Sequence, residues 1–186
     1  MAYIFDPAIL KEAAKKGIGL PRDQMFRIVM EELSARYPGH IVTEPEWLVN
    51  TAGGAIGTLT FLYGSLTEYL IFFGSPIGTQ GHTGRYSFVE DWFWILEGEA
   101  WYFTEGKTDR EIYGPGDEIR LPKGMAKVYR IVDNAWALEY ARGWIPTMLP
   151  FGFADTVFST LDFRTMVRSF RVYGKHVFHN LTRGNK

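Results

Sequence analysis

A chain without cysteine must draw its chemistry from carboxylates, hydroxyls and imidazoles, and here the carboxylates keep unusual company. Glu139 lies inside Trp136-Ala137-Leu138-Glu139-Tyr140, an apolar strand-like run in which alternation alone leaves its direction open. Facing an interior, it would be desolvated, its pKa would rise, and it would trade a proton near neutrality. Glu90-Asp91 precede a second such run, Trp92-Phe93-Trp94-Ile95-Leu96. Alternation groups Asp91 with Phe93 and Ile95, and Glu90 with Trp92 and Trp94. Two carboxylates sharing an apolar cavity have separated pKa values, one an acid and the other a base. The competing reading is that each caps a turn or joins a surface ion pair. Tyr69 falls on the face of Ile71 and Phe73, opposite Glu68. His82, in Gly81-His82-Thr83-Gly84, is a loop histidine that either titrates or bonds the backbone.

These residues need a scaffold, and the composition points to one. The 186 residues are 46% hydrophobic, 22% charged and 16% aromatic, with 20 glycines, the balance of one folded domain rich in strands and turns. A net charge of -1 provides no field for nucleic acid. No secretory signal opens the chain at Met1 to Pro7. Trp47 to Thr67 is uncharged and long enough to span a bilayer, but its glycines, threonines and Asn50 make it a set of buried strands.

Residues 1–39 read as helical. A short helix over Pro7 to Lys16 stops at Gly17, and a second carries Met25, Ile28, Val29 and Leu33 on one stripe. Residues 40–143 read as short strands cut by turns at Ala52-Gly53-Gly54-Ala55, Gly74-Ser75-Pro76, Glu105-Gly106-Lys107 and Tyr113-Gly114-Pro115-Gly116-Asp117. Such spacing predicts an antiparallel sandwich or barrel. Residues 144–186 turn helical again: Ile145 to Phe158 is almost uncharged, and Ser159-Thr160-Leu161-Asp162 reads as a helix start capped by a hydroxyl. Phe163 to Lys186 interleaves Arg164, Arg168, Arg171, Lys175, Arg183 and Lys186 with aromatic and aliphatic residues, a pattern suited to a membrane surface.

Gly116-Asp117-Glu118-Ile119-Arg120-Leu121-Pro122-Lys123-Gly124 resembles the second strand-turn-strand motif of the cupins, small jelly-roll barrels. Metal-binding cupins place a histidine where this chain has Lys127, and the scatter of His40, His82, His176 and His179 gives no ligand spacing. A barrel with neither metal nor cofactor is expected.

The blocks Tyr37-Pro38-Gly39-His40, Asn50-Thr51-Ala52-Gly53-Gly54, Ser65 to Gly74, Gly81-His82-Thr83-Gly84, Leu138 to Pro146 and Ala154 to Thr160 resemble, in order, the fungal C-8 sterol isomerase and sigma non-opioid receptor family. The resemblance runs from about residue 5 to the end. Family members begin with a transmembrane helix, and this chain begins where that helix would have ended. The implied fold is α+β: a cupin-like antiparallel barrel with N-terminal helices, and two C-terminal helices that cover its mouth and lie on the membrane. Receptor members associate as trimers. Glu139 matches the glutamate that pairs with a ligand's cationic amine, and Tyr69 the tyrosine that bonds it. Ile71, Phe73, Ile119, Met148, Leu149 and Tyr173 match cavity positions. The receptor's second acidic residue falls at Phe93, which is not acidic, whereas the fungal isomerases have an acidic pair at Glu90-Asp91. That departure favours the enzyme.

The expected activity is therefore transfer of a sterol double bond from C8 to C7, with Glu139 and Asp91 as the carboxylate pair and Tyr69 orienting Glu139. Glu90 and His82 are secondary candidates. Sterols or other apolar molecules are the expected partners, hydrophobic amines the expected inhibitors, and a homotrimer the expected assembly. Attachment would be peripheral, on the endoplasmic reticulum in a eukaryote or the inner membrane in a bacterium. Two rivals stand: a non-catalytic binder of lipids and amines, and a metal-free cupin acting on a terpenoid or hopanoid.

Overall fold

The computed structural model describes residues 3–182, so Arg183 and Lys186 of the basic C-terminal run lie outside the described residues. Two helices, α1 (Pro7–Lys15) and α2 (Arg22–Arg36), precede eight strands: β1 (Leu48–Ala52), β2 (Ala55–Gly64), β3 (Glu68–Ser75), β4 (Thr79–His82), β5 (Val89–Thr104), β6 (Glu111–Tyr113), β7 (Glu118–Leu121) and β8 (Lys127–Gly143). A 3-10 turn at Ile145–Met148 then leads into α3 (Leu149–Phe158) and α4 (Phe163–Thr182). The sheet is antiparallel, in the order β1-β2-β3-β8-β5-β6, with β4 beside β8 and β7 beside β5. This is the cupin-like α+β arrangement expected from the motif. The strands begin only at Leu48, not at residue 40.

Two long strands define the shape. β5 pairs with β8 from Val89↔Gly143 to Thr104↔Lys127, so the runs Trp92–Leu96 and Ala100–Phe103 belong to one strand. Register shifts between Ile95 and Glu97 and between Gly98 and Ala100 bend that ribbon. Gly98 has φ +83°, and a Cβ there would lie 1.9 Å from the Asn134 carbonyl oxygen, so the corner requires glycine. At the β1–β2 hairpin, Gly53 and Gly54 both have positive φ between the paired Ala52 and Ala55, the two-residue turn whose twist matches the strands.

The sheet has two unlike faces. The outer face carries Leu70, Phe72, Trp92, Trp94, Trp136, Leu138 and Tyr140, and it packs against Leu10, Met25, Val29 and Leu33 of α1 and α2. Burial of each such side chain contributes about 1.5–3 kcal/mol. Glu68 is buried in this layer and accepts bonds from the Ile4 and Phe5 N–H groups and from the Tyr140 hydroxyl (2.7 Å). These bonds pin the N-terminal segment to β3.

The other face lies under the C-terminal helices, which are tied to the strands at four points. Asp155 accepts from the Gly54 N–H at 2.6 Å, and Thr156 donates to the Thr51 carbonyl. Tyr173 and Asn180 donate to the Ser65 and Gly64 carbonyls. The start of α4 differs from expectation: the Asp162 carboxylate, not a Ser159 or Thr160 hydroxyl, accepts from the Thr165 N–H. The charged acceptor lies where the helix dipole favours an anion.

Candidate active site

Reading across β3, β8 and β5, the inner face is built in rows. Tyr69 and Asp91 flank Ala141; Ile71 and Phe93 flank Glu139; Phe73 and Ile95 flank Ala137. Asp91 and Tyr69 are therefore each one diagonal step from Glu139, roughly 7–8 Å by backbone and within side-chain reach. Small residues at Ala137 and Ala141 leave room on either side of Glu139, while the bulky Trp136, Leu138 and Tyr140 point outward. The direction that alternation left open is thus settled: Glu139 faces the interior.

It lines a cavity of about 180 Å³. Asp91, Tyr69, Ile71, Phe73, Phe93, Met148, Leu149 and Tyr173 line the same cavity. Expectation fails at two residues. Ile119 does not line the cavity; it packs beside Phe93, in a cluster with Ile95 and Tyr102. Glu90 lies on the outer face beside Trp92, where Arg142 (3.2 Å) and Arg120 (3.6 Å) neutralise it. His82 ends β4 at the cavity mouth, and its Nδ1 accepts the Gly84 N–H at 2.9 Å, which leaves Nε2 as the protonated nitrogen of the neutral ring.

Three tyrosines not foreseen complete the wall: Tyr86 before β5, Tyr102 on β5 and Tyr129 on β8. Tyr102 and Tyr129 stack at 5.6 Å and come from the half of the ribbon beyond the Gly98 corner. The bend that brings them opposite Glu139 is non-local, so strand alternation carries no sign of it.

The electrostatics follow from burial. Asp91 is 2% exposed and Glu139 8%. Burial raises the Asp91 pKa well above the usual carboxylate range, and the neighbouring Glu139 charge pushes it the same way. Burial also lifts Glu139, to about 7, against the lowering effect of a 2.5 Å bond from the Tyr69 hydroxyl. Tyr69, Tyr86, Tyr102 and Tyr129 are all raised, chiefly by burial, and so stay protonated. No lysine or arginine lines the cavity among the described residues. Lys127 is turned aside into an ion pair with Glu111, whose pKa its hydrogen bond lowers to about 2. No group of three metal-ligating side chains occurs among the described residues.

Fold and site together define a class: a cupin-like antiparallel sheet enclosing an apolar cavity with two buried carboxylates. Comparison with known proteins narrows it. Residues 1–185 match the model of the family described as ERG2 and Sigma1 receptor like protein, and the chain belongs to that family. It is 44% identical to the C-8 sterol isomerase erg2 of Aspergillus fumigatus, over 97% of this chain and 77% of that protein. It is 42% identical to the C-8 sterol isomerase of Gibberella zeae (98% and 78%) and 40% identical to the sigma non-opioid intracellular receptor 1 of Gallus gallus (93% and 78%). Among solved structures, a cupin superfamily protein from Desulfitobacterium hafniense is 16% identical over 45% of this chain and 74% of its own, with a TM-score of 0.40.

Proposed function

We propose that this chain is a sterol isomerase that moves a ring double bond from C8 to C7. One observation carries the reading: Asp91 and Glu139 sit on adjacent strands, on one face, inside an apolar cavity of a chain 44% identical to a C-8 sterol isomerase. A protonated carboxyl delivers a proton to C9, using the C8=C9 electron pair and leaving a tertiary cation at C8. A carboxylate then takes a proton from C7, and that C–H pair becomes the C7=C8 bond. Substrate and product are isomers, so the chemistry consumes nothing. The ionised partner and the aromatic faces of Phe93, Tyr102 and Tyr129 stabilise the cation, and the apolar lining disfavours its capture by water.

Incubation with a Δ8 sterol in deuterated water tests the reading. A Δ7 product carrying deuterium at C9, seen by mass spectrometry and NMR, is expected; unchanged sterol rejects it. The kinship with the Gallus gallus receptor supports a second reading, a binder of hydrophobic amines through Glu139. An ammonium beside that carboxylate mimics the C8 cation, so the same site also accounts for inhibition by such amines.

The same proposal includes one folded unit, 1–186, that rests on a membrane surface and associates as a trimer. Among the described residues no helix is long and apolar enough to cross a membrane. Phe163, Val167, Phe170, Phe178 and Leu181 form one exposed stripe along α4, with Arg164, Arg168, Arg171 and Lys175 beside it. That arrangement fits an interfacial helix on anionic lipid, on the endoplasmic reticulum in a eukaryotic host. Flotation with anionic liposomes checks the attachment, and light scattering in detergent checks the trimer.

A further inference from the structure

We infer that Asp91 is the general acid and Glu139 the general base, an assignment that rests on the isomerase reading. The two carboxyls differ in their partners. Glu139 Oε1 accepts the Tyr69 hydroxyl at 2.5 Å. A buried phenol keeps its proton, so it donates, and donation favours the ionised form of its acceptor. Asp91 Oδ1 is buried and has no hydrogen-bond partner among the described residues. An ionised oxygen there would leave its charge uncompensated, whereas a hydroxyl costs far less.

With no cation lining the cavity, the pair cannot hold two negative charges at neutral pH. One proton remains, and it rests on Asp91. The titratable groups facing the pair are Tyr69 from β3, Tyr86 before β5, Tyr102 from β5 and Tyr129 from β8, with His82 and Tyr173 nearer the mouth. None of the four inner tyrosines supplies positive charge.

The turnover then has a direction. The Asp91 O–H bond breaks and a C9–H bond forms, leaving Asp91 ionised beside the C8 cation. Glu139 removes the C7 proton and becomes neutral. To reset, Glu139 releases its proton to solvent and Asp91 takes one up from solvent, and the site returns with its single negative charge on Glu139. Tyr69 is a positioning residue, which makes Glu139 the better anion without touching the reacting carbons.

Three variants of the full chain test this: Asp91→Asn, Glu139→Gln and Tyr69→Phe. Infrared spectra at neutral pH should show the carbonyl band of a neutral carboxylic acid in wild type, retained in Glu139→Gln and weakened in Asp91→Asn. A band lost in Glu139→Gln but kept in Asp91→Asn overturns the assignment. A sterol-sized tertiary amine should bind Asp91→Asn within about threefold of wild type and lose about 100-fold or more with Glu139→Gln. The opposite ranking also overturns it. Tyr69→Phe should move the acidic limb of the kcat/KM profile to higher pH, because Glu139 loses the bond that favours its charge. An unmoved limb overturns the role given to Tyr69. Wild type that shows the Asp91 band and binds the amine, yet converts no Δ8 sterol, rejects the isomerase reading and leaves the proton on Asp91.

Discussion

The two faces of one sheet treat buried carboxylates in opposite ways. On the outer face Glu68 is saturated: it accepts from two backbone N–H groups and from the Tyr140 hydroxyl. Glu90, on the same face, is paired with two arginines. On the inner face Glu139 has one donor, Tyr69, and Asp91 Oδ1 has none. All four sit on neighbouring strands, so burial alone does not set their chemistry. The difference lies in how many donors surround each carboxyl group: many donors fix a structure, while few leave a proton mobile.

The sharpest way to break this contrast is at the inner pair. Glu139→Gln and Asp91→Asn should each lower turnover of a Δ8 sterol by about 1000-fold or more, close to the contribution of a positioned acid or base. Near-UV circular dichroism should be unchanged. Full activity in either variant would remove that residue from the chemistry. On the outer face the effect should fall on stability: Glu68→Ala strands two N–H groups and should cost about 2–3 kcal/mol in urea unfolding, with turnover of the folded protein retained. A loss of turnover without a loss of stability would contradict the division between the faces.

A smaller effect tests the inner face from the other side. The Glu139 pKa rises from its usual 4.5 to about 7, and Asp91 is raised too. Between those values the folded chain holds a proton that the unfolded chain has lost. This stability is fully present below about pH 4.5 and declines as pH rises toward 7. Asp91→Asn should therefore raise Tm at pH 7.5 by about 4–8 °C, for roughly 2 kcal/mol, and by less at pH 4.5. A variant less stable than wild type at pH 7.5 would show that Asp91 has a structural partner. The least effect is expected at Trp136, whose buried indole N–H has no partner among the described residues. Trp136→Phe should change stability by less than about 1 kcal/mol, since no hydrogen bond is lost.

Much of this was legible in the sequence, and each failure has its own cause. Alternation placed Asp91 with Phe93 and Tyr69 with Ile71, because those pairs lie two residues apart on one unbroken strand. It could not orient Glu139, since Trp136 to Tyr140 is apolar on both faces apart from Glu139 itself. A finer signal was present there: Ala135, Ala137 and Ala141 share the parity of Glu139, and the large residues share the other. Side-chain size, more than polarity, marks the cavity face. Tyr102 and Tyr129 were missed because their approach depends on the bend at Gly98, and Tyr86 because it lies in the loop before β5, where alternation assigns no face. Ile119, expected at the cavity from the resemblance alone, packs in the layer beside Phe93 instead of at the cavity surface.

The strand order has a consequence for synthesis. β3 can pair with β2, and β5 with β6 and β7, as soon as each emerges. Among the described residues the two sets of strands pair with each other only through β8, which borders β3 on one side and β5 on the other. On a ribosome adding about 5–20 residues per second, the Trp- and Phe-rich edges of β3 and β5 wait unpaired until residue 143 has been made. The step that relieves this exposure also brings Tyr69, Asp91 and Glu139 together for the first time, so a nascent chain halted before β8 is both sticky and inert.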